Sequence, residues 1–294
     1  MRWAIISGMY NVADLATEFC SYHLGLGVDT IFVADYGSDD DTLERLSPFV
    51  RDGRIQLVPL PTHNFATYDP SNAILETIRK KDLADWVSFL DPDEFLVGPE
   101  NLKEVLAEQY SREVNAVRVP RHNLTGVGPL AADDHYLRHL TLKIVATDVR
   151  VIDPAAPLSS PWIFSRLPPK VMIRAQSHLK TTTADHNVVG AKQELKELSP
   201  LEILHLPMRG YVAFQTKIER GIGYFAKNPE LHPNIGWHWR RWIALFQSGR
   251  LREEYERQFP DASESETLLS ESRVVWEKRL ADWWTNETSR GSYL

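Results

Sequence analysis

Hydrophobic and polar positions change period repeatedly along the first third of the chain, and the changes predict alternating strands and helices. Trp3 to Gly8 is a strand. Val12 to Leu26 sets Leu15, Phe19, Tyr22 and Leu26 on one side of a helix that Gly25 and Gly27 end. Thr30 to Ala34 is a second strand, followed by a short helix through Leu46. Arg54 to Leu60 is a third strand, Ser71 to Lys81 a helix with Ser71 as N-cap, and Asp85 to Leu90 a fourth strand. This rhythm predicts an α/β fold with a mainly parallel sheet flanked by helices, whose ligands sit at the carboxyl ends of the strands. Asn101 to Gln109 is a further helix and Ala116 to Pro120 a further strand, leading into a glycine-containing loop from Arg121 to Pro129. Prolines crowd Asp153 to Pro169 and predict a loop or linker, and the pattern from Tyr224 to Leu294 is helical and aromatic. The chain therefore divides into an α/β domain over 1–222 and a helical C-terminal extension over 223–294.

Chemistry enters where the apolar run Trp86 to Leu90 breaks into Asp91, Asp93 and Glu94 before closing apolar again through Val97. A buried strand holds acids only at its end, where they meet solvent, a cation or each other. Asp91 and Asp93, two apart, share one face of a pleat, while Pro92 removes a backbone donor and stops the ladder. Like charges that close call for a cation between them, and hard oxygen ligands favour Mg²⁺ or Mn²⁺. The alternative is an acidic surface turn. The Asp35 to Thr42 loop has the same two readings: a helix-capping turn, or a set of acceptors in which Asp35 and Asp40 take hydrogen bonds from a ligand.

Composition narrows the classes. A formal net charge of −7 over 294 residues argues against a general nucleic-acid binder, because phosphate contacts need clustered Lys and Arg. Cys20 is the only cysteine, which excludes an intramolecular disulfide and a cysteine-rich zinc site. No apolar stretch reaches the length of a membrane span and no secretory leader pattern opens the chain, so the expectation is a cytoplasmic protein with peripheral membrane contact allowed. His135 and His139 form an H-x-x-x-H pair that either faces solvent on a helix or binds zinc. Asn123 and Asn286 open glycosylation sequons that carry little weight without a leader.

Leu90 to Leu96 resembles the D-x-D-E-F-L motif in a branch of the family 2-like glycosyltransferases of the GT-A fold. The resemblance implies a GT-A-like sheet and a hexosyltransferase-like enzyme. It moves a sugar from a nucleotide-sugar donor to an acceptor hydroxyl, with Mn²⁺ or Mg²⁺ on the D-x-D carboxylates and an inverting outcome. Asp35, Gly37, Ser38, Asp40 and Thr42 fall on the family's D-x-G-S-x-D-G-T-like loop, which contacts base and ribose. Asp41 replaces its usual Gly, and Tyr36 stands where Asp or Asn is common. Ser7 to Asn11 replaces a K-N-E-like segment at the same pocket. Lys170 to Arg174 resembles the K-x-I-x-R strand, in which Lys170 or Arg174 offsets diphosphate charge. Ile203 to Tyr211 resembles the I-x-H-Y/L segment, which makes His205 the third metal ligand beside Asp91 and Asp93, with His178 competing. An inverting displacement needs a carboxylate to take the acceptor proton, and Asp185 is the first candidate and Glu94 the second. Arg209 and Trp239 are acceptor-side candidates. The C-terminal tryptophans either stack on a sugar or lipid-linked acceptor or pack as a helical cap, and a small-molecule acceptor fits equally. A nucleotidyltransferase and a noncatalytic carbohydrate- or partner-binding module are the rival readings.

Overall fold

The computed structural model describes residues 1–60, 70–111, 114–147, 160–191, 194–232 and 235–290. In chain order the elements are β1 (Trp3–Met9), α1 (Ala16–Gly25), β2 (Thr30–Asp35), α2 (Thr42–Arg51), β3 (Ile55–Pro59), α3 (Pro70–Lys81), β4 (Trp86–Phe89), β5 (Glu94–Val97), α4 (Leu102–Ser111), β6 (Ala116–Val119) and β7 (Arg121–Thr125). There follow α5 (Tyr136–His139), β8 (Leu142–Ile144), β9 (Lys170–Arg174), β10 (Lys180–Thr181), β11 (Val188–Val189), β12 (Glu202–His205), α6 (Tyr211–Lys227), α7 (Trp237–Gln247), α8 (Leu251–Glu256), α9 (Ala262–Ser270), β13 (Val274–Trp276) and α10 (Arg279–Ser289).

Contacts divide the chain into two compact units, one of Met1–Arg121 with Pro168–Leu204 and one of His122–Leu167 with His205–Leu294. Each is assembled from two stretches of chain, so neither coincides with the contiguous segments 1–222 and 223–294. The first unit is built on a six-stranded sheet of order β3-β2-β1-β4-β9-β6. β3, β2, β1 and β4 run parallel, and β9 is antiparallel to both β4 and β6. Alternation along the strands sends Ala4, Ile6, Phe32, Ala34, Val87 and Phe89 to one face, where they bury against Ile74, Leu75 and Ile78 of α3. The other face buries Trp3, whose indole N–H donates to Ser88 Oγ at 2.8 Å. The mainly parallel, helix-flanked sheet is the expected one.

The differences are local. The first helix begins at Ala16 because the chain turns at residues 13–15, and the second continues past Leu46 to Arg51 with Pro48 inside it. Ser71 lies within α3 rather than capping it, and its hydroxyl donates to Asp185 instead. The expected loop from Arg121 starts as β7, paired antiparallel with β8. The Asp153–Pro169 stretch lies outside the described residues through 159. In the second unit the C-terminal stretch is mostly helical but includes β13, which pairs antiparallel with β8. His135 caps the single turn of α5 and stacks on Trp284 at 3.7 Å between ring centroids, while His139 Nε2 lies 2.8 Å from Gly128 O. Both histidines of the H-x-x-x-H pair thus have structural roles. No helix among the described residues is long and apolar enough to cross a membrane.

Candidate active site

β1 lies between β2 and β4, and both acidic stretches fall at the carboxyl ends of those neighbours. Asp35 is the last residue of β2, and Asp91 follows β4 by two positions. Two strand spacings, about 10 Å, separate β2 from β4.

After β4 the chain turns and re-enters a strand at Glu94, and the turn is closed by Glu94 N donating to Asp91 O at 3.0 Å and by Asp91 N donating to Glu94 Oε2 at 2.9 Å. Glu94 is 0% exposed, and Asp93 is buried at 6%. Two cations meet these acids. Lys170, at the start of β9 and 1% exposed, donates from Nζ to Asp91 Oδ2 at 3.0 Å and to Ala184 O at 3.2 Å, and lies 3.6 Å from Glu94 Oε2. Arg121 is ion-paired to Glu94 through Nη1 and donates from Nε to Pro168 O at 3.0 Å. Since β9 is antiparallel, its first residue meets the carboxyl end of β4. Arg174, in register with Trp86, sits at the opposite end of the strand.

The electrostatics follow from this packing. Desolvation, with Asp93, pushes the Asp91 carboxyl up, but the charge and hydrogen bond of Lys170 together with the charge of Arg121 outweigh it, so its pKa lies below the usual carboxylate range. Burial lowers Lys170, yet Asp91, Glu94 and Asp185 more than offset that and raise it above the ordinary lysine value. The Asp91 side chain is 54% exposed, and its Oδ1 has no partner among the described residues.

Asp185 closes the cluster from the turn after β10. Its oxygens accept from Ser71 Oγ at 3.2 Å and from Thr181 Oγ1. The next residue, His186, holds Pro169 O with Nδ1 at 3.0 Å. Burial, then Lys170 and Arg121, push His186 down to about 4.

On the β2 side the loop is knitted to the end of β1. Asp35 accepts from Gly37 N at 3.0 Å and from Ser38 Oγ at 2.6 Å, while Ser38 Oγ accepts from Asn11 N at 2.9 Å. Asp40 accepts from Thr42 N at 2.9 Å and Ala13 N at 3.2 Å. Gly8 permits this closure, since a Cβ there would stand 3.0 Å from the Tyr36 ring. Ser7 lies inside β1 and is 1% exposed, with Oγ unpartnered among the described residues.

The structure thus brings Asp91, Asp93, Glu94, Lys170 and Asp185 together, and Ser7, Asp35, Ser38 and Asp40 along the same sheet edge. His178 is exposed in the loop after β9. In the second unit, His205 Nδ1 lies 2.7 Å from Asn123 Oδ1, and Arg209 sits half-buried before α6. Trp239 packs its ring on α6 where Gly221 leaves room, and Lys217 lies over it at 5.5 Å. A cavity of about 650 Å³ in that unit is lined by Phe164, Phe259, Arg257 and Arg273 and contains none of the sequence-predicted residues. Arg121, Ser71, Thr181 and His186 were not singled out as site residues. The one signal for Arg121 is a basic residue following an apolar strand, where a buried Glu94 needs a counter-charge.

At the carboxyl edge of the mainly parallel sheet the α/β chain thus sets a cluster of acids and a lysine. The glycosyltransferase family 92 profile matches residues 6–206, and the chain belongs to that family. No curated protein matches the chain. Among solved structures, S. aureus TarS with UDP-GlcNAc is similar at 18% identity and TM-score 0.45, over 87% of this chain and 72% of that one. TarS with UDP is similar at 20% identity and TM-score 0.38, over 60% and 47%, so the chain spans about half of that one. The mannosyltransferase PcManGT from Pyrobaculum calidifontis, with GDP-Man and Mn²⁺, is similar at 13% identity and TM-score 0.38, over 99% and 81%. The fold itself is α/β, a mainly parallel six-stranded sheet with helices packed on it.

Among the described residues no group of three or more His, Cys, Asp and Glu side chains is arranged to hold a metal ion. The donor set still suits one. Four carboxylates (Asp91, Asp93, Glu94, Asp185) against two cations (Lys170, Arg121) leave two formal negative charges, and Asp91 presents an unpartnered oxygen. Mg²⁺-type ions are characteristically held by one or two carboxylates, the remaining positions being filled by substrate phosphates and water.

Proposed function

We propose that this chain transfers a sugar from a nucleotide-sugar donor to an acceptor hydroxyl with a divalent cation, by an inverting displacement. The observation that carries the reading is the carboxylate cluster around Lys170 at the carboxyl edge of the sheet, in a chain of a glycosyltransferase family. Sugar transfer develops positive charge at the anomeric carbon and negative charge on the departing diphosphate. Asp91 and Asp93 would hold Mn²⁺ or Mg²⁺, which when bound supplies charge neutralisation for that leaving group. Lys170 and Arg121 favour the ionised form of Asp91 and fix the turn that presents it. Asp35, Ser38 and Asp40, with Ser7 beneath them, form the nucleotide side.

Asp185 is the carboxylate for the acceptor proton. Both of its oxygens are oriented by hydroxyl donors. Glu94 suits that role less, since it is wholly buried and already engaged by Arg121, Lys170 and the Asp91 N–H. The test is release of nucleoside diphosphate from a panel of UDP- and GDP-sugars with and without Mn²⁺. Metal-dependent nucleoside diphosphate supports the reading, while pyrophosphate release or no turnover contradicts it.

A further inference from the structure

The turn at 184–186 is held by three consecutive residues, each in a different way. Ala184 O accepts from Lys170 Nζ at 3.2 Å, the Asp185 carboxylate accepts from Ser71 and Thr181, and His186 Nδ1 meets Pro169 O at 3.0 Å. Ala184 and Asp185 both have left-handed backbones, with φ of 60° and 59°. Neither is glycine, and such conformations cost roughly 1–2 kcal/mol per residue. Strain of this kind persists where surrounding contacts over-determine it, and it concentrates at working sites.

The turn fixes the chemistry of His186. A carbonyl only accepts, so Nδ1 carries the proton and Nε2 carries the lone pair. Nε2 has no partner among the described residues and is not sealed from solvent. Burial first, and then Lys170 and Arg121, act against a second proton and keep the ring neutral, the Pro169 contact and Asp91 only partly opposing them. The result is a hydrogen-bond acceptor of fixed orientation and no charge, beside the acids and the lysine. Such a group does not suit a phosphate, which offers no proton, and it suits a hydroxyl.

We propose that His186 Nε2 accepts a hydrogen bond from a hydroxyl of the donor sugar and so contributes to the choice of sugar. The assignment rests on the transferase reading, and the experiment separates the two. His186→Asn keeps a donor near Nδ1 for Pro169 O and removes the acceptor at Nε2, whereas His186→Gln places an amide oxygen near Nε2 and gives up the Pro169 contact. With the sugar nucleotide that the wild type uses, H186N raises KM about tenfold with kcat little changed, and H186Q stays closer to wild type. Monodeoxy donors identify the hydroxyl: one of them weakens the wild type by a similar factor and weakens H186N no further. If H186Q is as impaired as H186N or more so, or if both behave like wild type, the His186 assignment is overturned and the transferase reading stands. If the wild type releases no nucleoside diphosphate from any donor, the transferase reading fails and the His186 assignment fails with it.

Discussion

At the scale of single residues, burial decides which charges are structural and which can work. Lys170 and Glu94 are sealed in the fold, so each depends on its partners, whereas Asp91 keeps an oxygen toward solvent. Removing one member of a buried ion pair leaves an uncompensated charge and costs roughly 3–5 kcal/mol. Lys170→Met is therefore expected to lose about that much stability in urea unfolding, and a loss below about 1 kcal/mol would contradict the clamp. Asp91, Asp93, Glu94 and Lys170 were legible as candidates because each stands in a local motif, whereas Asp185 stands in none. Their supporting residues were not, because the partners meet only through the fold: Ser71 and Asp185 are 114 positions apart and Arg121 and Glu94 are 27 apart. No sequence window contains both members of either pair.

At the scale of elements, the strand and helix rhythm was readable where apolar runs are buried on both faces, as in β1, β2 and β4, and where a helix buries one face, as in α3. It failed where tertiary contact rather than period made the element. β13 is a three-residue strand that exists by pairing with β8, and its sequence sits between helical stretches. α1 shows a buried polar group that periodicity could not reveal. His23 is 0% exposed, with Nδ1 2.8 Å from Phe19 O and Nε2 accepting from Leu96 N at 3.2 Å, and burial lowers its pKa from 6.5 to about 3. The unfolded chain takes up a proton there that the folded chain refuses. Its contribution to stability is complete above about pH 6.5 and is lost as pH falls toward 3. The urea midpoint of the wild type should therefore drop between pH 6.5 and 4, and His23→Gln should flatten that drop. An equally steep drop in the variant would contradict the assignment. His186 titrates in the same direction, so the flattening is partial. In the second unit, the α6–α7 contact depends on Gly221, where a Cβ would lie 2.6 Å from Trp239 Cε3. Gly221→Ala is expected to lower the melting temperature by an overpacking cost of about 1–3 kcal/mol despite alanine's better helix propensity. A rise in melting temperature would show that the ring moves aside freely.

At the scale of the whole molecule, the sheet order explains why two acidic stretches far apart in sequence share one edge: parallel strands on either side of β1 end together. That much followed from the rhythm and the motifs. The division into compact units was marked at one crossing only: the chain returns to the first unit at Pro168, within the proline-rich stretch, but leaves it at Arg121, directly after an apolar strand. The central claim is that the carboxyl edge of this sheet grips a nucleotide sugar's diphosphate through a divalent ion on Asp91 and Asp93. Calorimetric titration of the sugar nucleotide into wild type and Asp93→Asn, each with and without Mn²⁺, tests it most directly. The account predicts Mn²⁺-dependent binding by the wild type, and loss of that dependence in a folded Asp93→Asn variant. Equal affinity in all four titrations would contradict it.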